Sequence, residues 1–315
     1  MESIQTILLH PFTLFPIGSR DSLSLGLLDR DHRQPSGRVR IPSLYCWAVP
    51  NIYFELTEAF NAKQPVVALA SGQAVVYYRV AIMSKDGDWV IRETAEACAT
   101  VLQELERRRA HYRPGAPLDV RWLSGGWSSH VEFQDDRQRR VRCDFLSRPP
   151  RVSQSSVDRI FAQATESSGM VVVDLDALIA MKQTQRAKDY AVIGELATLL
   201  PPEREIELTT DPDRVIALAP AFGGPSPRPV ARLAAAGADR HAVVLALAEE
   251  IDGRQQADRR RMAIYEAAAR PYLEACRAAG IAAIPLRQAH DLMVDIAERL
   301  LPRAPLTGVP HADAQ

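Results

Sequence analysis

Between residues 65 and 146 the hydrophobic period switches repeatedly between strand and helix, and this alternation limits the fold more than any other feature. PVVALA (65–70) is a continuous apolar run of strand length, and SGQAVVYYRVAIM (71–83) reads as a helix opened by the small Ser71-Gly72 pair. DWVI (88–91) returns to strand. TAEACATVLQELERRRAH (94–111) is the clearest helix. Ala95, Cys98, Val101, Leu102 and Leu105 form its apolar stripe, and Arg107, Arg108 and Arg109 fill its last turn, where cations suit the helix dipole. Three strand readings follow, DVRWLS, HVEFQ and RRVRCDFL, joined around Gly125-Gly126 and around Asp135-Asp136-Arg137. Strands interleaved with helices predict an α/β (α+β) fold.

Around this unit the signals are simpler. NIYFELTEAFNA reads as a helix leading into it, and residues 1–50, rich in Pro, Arg and Ser without a sustained period, read as an irregular arm. After residue 150 the pattern turns helical through SVDRIFAQATES, a brief strand MVVV, DLDALIAMKQ and KDYAVIGELATLL. PAFGGPSPRP (220–229) reads as a linker or long loop, with Ala- and Arg-rich helices beyond it. The expected division is an arm at 1–50, an α/β unit at 51–200 and a mainly helical region at 201–315.

Composition excludes several function classes. At 315 residues, 47% hydrophobic and 24% charged, the chain is an ordinary globular one with ample core. Its formal net charge of −1 means that any nucleic acid would need a local patch. Arg107 to Arg109 with Arg137, Arg139, Arg140 and Arg142 are the candidates, against the alternative that they are solvated. The apolar N-terminus carries Glu2, lacks a basic start and is broken by His10, Pro11 and Pro16, so no membrane span is expected and a cytoplasmic location is. Cys46, Cys98, Cys143 and Cys276 are scattered and the histidines lack metal-site spacing, which argues against zinc.

Candidate chemistry centres on residues 71–91. A strand entering a Ser71-Gly72 helix start leaves unpaired N–H groups at one spot, a geometry suited to phosphate. Ser84-Lys85-Asp86-Gly87-Asp88 then heads the next strand. Alternate strand residues share a face, so Asp86, Asp88 and Val90 point one way and Trp89 and Ile91 the other. Carboxylates roughly 7 Å apart along a strand can converge on divalent metal; taken alone the D-G pair reads first as a turn, and only the order of the surrounding motifs favours the site. In RVRCDFL, Asp144 interrupts a good strand and is the natural third carboxylate. Lys182 continues the apolar stripe of Leu178 and Ile179, either snorkelling to solvent or drawn to a phosphate. Asp189 is either part of such a site or a first-turn acid favoured by the helix dipole.

The order Ser-Gly at a helix start, D-x-D at a strand head and a lone Asp on a later strand resembles the nucleotidyltransferase (DNA polymerase β-like) superfamily. DLDALIAMKQTQRAKDYAVIGEL is similar to a helix pair of the minimal nucleotidyltransferases and AbiEii-type toxins. The resemblance covers roughly residues 51–200. It implies a mixed β-sheet flanked by helices, with a helical C-terminal extension. It implies Ser71 and Gly72 on the phosphates of an NTP, with Ser84 and Lys85 beside them, and Mg²⁺ on Asp86, Asp88 and Asp144. Lys182 and Lys188 would face the triphosphate, supported by Asp189. The implied reaction is attack by an acceptor hydroxyl, on tRNA, another RNA or a protein, on the α-phosphate with release of pyrophosphate. A toxin of this kind would have a cognate antitoxin. The chain departs from the family where Ser71-Gly72 replaces Gly-Gly or Gly-Ser, where Ile82-Met83-Ser84 lacks the usual arginine, and at Val192. Those departures point to the alternative of a catalytically weakened binding or regulatory module.

Overall fold

The structure, a computed structural model, describes residues 51–164 and 169–306; the expected arm at 1–50, with Cys46, lies outside them. The strands are β1 (Val67–Ala70), β2 (Asp86–Ile91), β3 (His111–Tyr112), β4 (Ser128–Gln134) and β5 (Arg140–Leu146). They form one five-stranded mixed sheet in the order β1-β2-β5-β4-β3. β2 and β5 run parallel and the other neighbours antiparallel. Around it lie α1 (Ile52–Phe60), α2 (Ser71–Tyr77), α3 (Ala95–Arg107), α4 (Val120–Leu123), α5 (Gln154–Gln163), α6 (Leu175–Lys182) and α7 (Ala187–Ala197). The C-terminal part adds α8 (Pro202–Leu208), α9 (Pro212–Leu218), α10 (Pro229–Ala235), α11 (Arg240–Ala278) and α12 (Leu286–Leu300). No helix among the described residues is long and apolar enough to cross a membrane.

The two sheet faces bury different sets. On one, Trp89 stacks on Phe145 at 5.3 Å and packs with Phe60, the α3 stripe and the buried faces of α11 and α12, including Tyr272 and Met293. On the other, Ala68, Ala70 and Val90 meet Phe161 of α5, Leu178 of α6 and Ile193 of α7. The chain beyond residue 200 therefore contributes directly to the core under the sheet. The α3 stripe is as the sequence predicts from Cys98 to Leu105, joined by Ala97 in place of the exposed Ala95. Cys98, Cys143 and Cys276 are buried thiols.

Four local readings change. The helix at Ser71 stops at Tyr77, not 83. Arg79 adopts φ +62°, and Val80 N–H and Arg79 N–H return to Val75 O (3.1 Å) and Val76 O (3.0 Å). This left-handed cap ends the helix and leaves Ile82 and Met83 exposed. DVRWLS is not a strand: Asp119 caps α4 by accepting from Arg121 N–H (2.9 Å), and adjacent Trp122 and Leu123 are both buried, which one strand face cannot provide. MVVV forms only a parallel bridge to β1 at Leu69 and Val172. The linker reading of 220–229 also fails, because Ala219–Gly223 continues α9 as a π-helical turn and Pro229 starts α10. Gly223 permits this tight hairpin, since a Cβ there would sit 2.6 Å from Ala231 O.

Candidate functional site

Strand register brings the predicted carboxylates together. Asp88 pairs with Asp144 across β2 and β5, Asp86 with Arg142, and His130 of β4 with Asp144. Alternation then places Asp86, Asp88, Asp144, Arg142 and His130 on one sheet face, while Trp89, Cys143 and Phe145 fill the core beneath. This is why an acid interrupts RVRCDFL: its neighbours face the core and Asp144 does not.

The carboxylates differ in their surroundings. Asp88 is buried and its Oδ2 has no hydrogen-bond partner among the described residues. Burial pushes its carboxyl well above the usual range, the charges of Asp144 and Asp86 add to this, and Lys182 and Arg186 oppose it. Asp86, also buried, has Arg142 Nη1 at 3.4 Å. At Asp144 burial again opposes ionisation, but His130 and Arg113 outweigh it and hold the carboxyl below its ordinary value. Arg113 Nη1 donates to Asp144 Oδ1 at 2.9 Å, and His130 Nδ1 approaches that same oxygen to 2.9 Å.

A cavity of about 230 Å³ opens over this face. Ser71, Asp88, Arg113, His130 and Asp144 line it together with Trp127 and Tyr265. Ser71 takes φ +47°, an uncommon conformation for a non-glycine residue, at the abrupt junction of β1 and α2. Gly72 follows it, buried in the first turn. Ser84 and Lys85 are fixed through their backbones: Gln73 Nε2 donates to Ser84 O at 2.9 Å and Tyr53 Oη to Lys85 O. The Lys85 side chain is exposed.

Lys182, ending α6, is buried at 4% exposure instead of snorkelling out, and burial lowers its pKa against the pull of Asp189 and Asp88. Asp189 is buried in the first turn of α7, accepting from Thr184 Oγ1 (2.7 Å) and facing Arg186 Nη2 (3.1 Å). Lys188 is exposed beside this cluster, within electrostatic reach of Lys182, Arg186 and Asp189, while Arg186 meets Asp189 directly. Sequence reasoning missed Arg113, His130, Arg186 and the group around Asp258. Asp258 of α11 is buried, accepts from Arg151 Nη1 (3.1 Å) and Gln185 N–H (3.0 Å), and borders the cavity. Its signal was present: it lies seven residues before Tyr265 and fourteen before Tyr272, on the inward stripe of the helix.

The arginines considered for RNA are largely engaged within the chain. Arg107 and Arg108 pair with Glu104, Arg139 with Asp135, Arg140 with Glu132 and Arg142 with Asp86. Among the described residues no group of three or more His, Cys, Asp or Glu side chains is placed to hold a metal ion. The donors nevertheless suit Mg²⁺, which takes oxygen ligands, usually one or two carboxylates completed by water and substrate phosphates. The unpartnered Asp88 Oδ2 opposite Asp144 offers such donors.

The fold and site together define a mixed α/β sheet protein with a carboxylate-bearing cavity. No known protein family and no curated protein matches the sequence. Among solved structures, the chain is similar to JHP933 from Helicobacter pylori at 13% identity and TM-score 0.35, covering 71% of this chain and 99% of that one. A second H. pylori structure, described as a candidate nucleotidyltransferase, matches at 12% identity and TM-score 0.32, covering 66% and 96%. Likeness at this level is too slight to assign an activity.

Proposed function

We propose that the chain is a Mg²⁺-dependent nucleotidyltransferase that moves a nucleoside monophosphate from an NTP to an acceptor hydroxyl. The observation that carries this reading is the pairing of Asp88 with Asp144, Asp86 on the same face, and a buried Asp88 oxygen left without a partner above a cavity. Asp86, Asp88 and Asp144 would hold Mg²⁺, which when bound neutralises phosphate charge and supports the attacking and leaving oxygens. Ser71 and Gly72, at the strained junction ahead of α2, would orient the phosphates with their backbone amides. Lys182 and Arg186 offset the charge of Asp88 and would attract polyphosphate toward this face. A toxin acting on tRNA 3′ ends, with a cognate antitoxin, is the subclass favoured by the resemblance of the α6–α7 segment.

Incubation with each radiolabelled NTP, Mg²⁺ and cell extract tests this, with label expected in RNA or protein. Loss of label in Asp86→Ala supports the site; labelling equal to wild type refutes it. One observation favours a second reading, a nucleotide-binding module without turnover: the Arg113 guanidinium already balances the charge of Asp144. Under that reading calorimetry would show NTP binding indifferent to Mg²⁺ and no transfer to any acceptor.

A further inference from the structure

The contacts to Asp144 are one-sided. Arg113 Nη1 donates to Oδ1 at 2.9 Å and His130 Nδ1 stands 2.9 Å from the same oxygen, while among the described residues no hydrogen bond or ion pair falls on Oδ2. Asp144 borders the cavity opposite Asp88, so the oxygen without a partner belongs to a carboxylate on the cavity wall. The guanidinium that grips Oδ1 is itself braced. Its Nε lies 3.5 Å from Glu132 Oε2, and Glu132 is held in turn by Arg140 at 2.6 Å and His111 at 3.2 Å. The Arg113 backbone N–H also donates to His130 O at 2.9 Å. Arg140, Glu132, Arg113 and Asp144 thus form a chain of alternating charge along the surface of β4 and β5, ending on one oxygen of one carboxylate.

We propose that Arg113, supported by Glu132 and joined by His130, is a positioning residue that pins Asp144 through Oδ1 and presents Oδ2 to a divalent cation shared with Asp88. The proposal rests on the nucleotidyltransferase reading of the carboxylates and adds a residue that reading does not contain. A carboxylate ligand free to rotate must be ordered when the metal arrives; one already clamped through its other oxygen is not. Outer partners of this kind typically change metal affinity 10- to 100-fold. A competitor would act in the opposite direction: were Arg113 merely occupying the cation's place, its removal would tighten metal binding.

The full chain without nucleotide is titrated with Mn²⁺ and free Mn²⁺ is followed by electron paramagnetic resonance, with melting temperature recorded for every variant. Arg113→Met is expected to bind Mn²⁺ at least about 10-fold more weakly. Arg113→Lys, which keeps one charged donor, should recover part of the loss, and Glu132→Gln should fall between wild type and Arg113→Met. Unchanged or tighter binding by a folded Arg113→Met overturns the positioning role while leaving the carboxylate site intact. Should Asp88→Asn and Asp144→Asn bind Mn²⁺ as wild type does, or wild type bind none, the parent reading fails and this one with it. If Arg113→Met does not fold, Glu132→Gln alone decides: affinity equal to wild type overturns the proposal.

Discussion

Replacing Asp258 by Ala should destabilise the protein by about 3 kcal/mol, at the lower end of the cost of breaking a buried ion pair. Asp258 is 2% exposed on the inward stripe of α11, and its carboxylate meets Arg151, Arg261 and the Gln185 backbone N–H. Removing it leaves the Arg261 guanidinium and the Gln185 amide without this acceptor, and Arg151 with Ala180 O alone. The lower end applies because the Arg151 and Arg261 side chains keep 27% and 29% exposure and can be partly rehydrated. The lost acceptor for Gln185 N–H is worth about 1 kcal/mol of that total. Asp258→Asn retains an oxygen for Gln185 and should lose roughly half as much. In a chain of this length a loss of about 3 kcal/mol lowers the melting temperature by about 4–5 °C. Urea unfolding followed by tryptophan fluorescence, with calorimetry alongside, measures both. A loss below about 1 kcal/mol for the Ala variant would refute the claim that Asp258 is the charge that ties α11 to the turn before α7.

Three further outcomes are expected. Asp88→Asn should raise the melting temperature at neutral pH in metal-free buffer, because the folded state lifts the carboxyl pKa and so disfavours its ionised form. With the folded pKa above the unfolded one, that destabilisation is absent below the unfolded value and grows as pH rises through the window between them; a variant melting below wild type at pH 7 would contradict this. Trp89→Ala, at a fully buried ring stacked on Phe145 with Nε1 donating to Thr57 Oγ1 at 2.8 Å, should cost about 3–5 kcal/mol in denaturant unfolding, and less than about 2 would be inconsistent with the packing. Gly125→Ala would drive a Cβ into the Arg303 carbonyl; it should shift the tryptophan emission of Trp122 and Trp127, whose indoles donate to Leu301 O and Pro302 O, and an unchanged spectrum would count against it.

Period and order carried most of what was legible in the sequence. β2, β4 and β5 and the face assignment of Asp86, Asp88 and Asp144 follow from alternation alone, because a two-residue period leaves no freedom once the core face is known. What failed was local termination. Arg79 in a left-handed cap carries no glycine signature, and the side-chain cap at Asp119 turned an apparent strand into a helical turn. The site was half visible. Its acids stand at strand positions where an acid is anomalous, so they declare themselves. Arg113 and Arg186 sit in irregular segments, where no periodicity distinguishes an inward arginine from a solvated one. Asp258 needed the α11 stripe to be read as continuing through a charged residue.

The two indole N–H groups that end on Leu301 and Pro302 set a schedule for how this chain is made. The aromatic layer on Trp89 and Phe145 is finished by residues from Ala269 onward, more than a hundred positions after β5. At about 5–20 residues per second a ribosome needs roughly 8–30 s to add them, during which a sheet with one face only partly covered by α1 and α3 must be kept from other nascent chains. Stop codons or proteolytic cuts anywhere before α12 would therefore yield an aggregation-prone fragment instead of a smaller working domain.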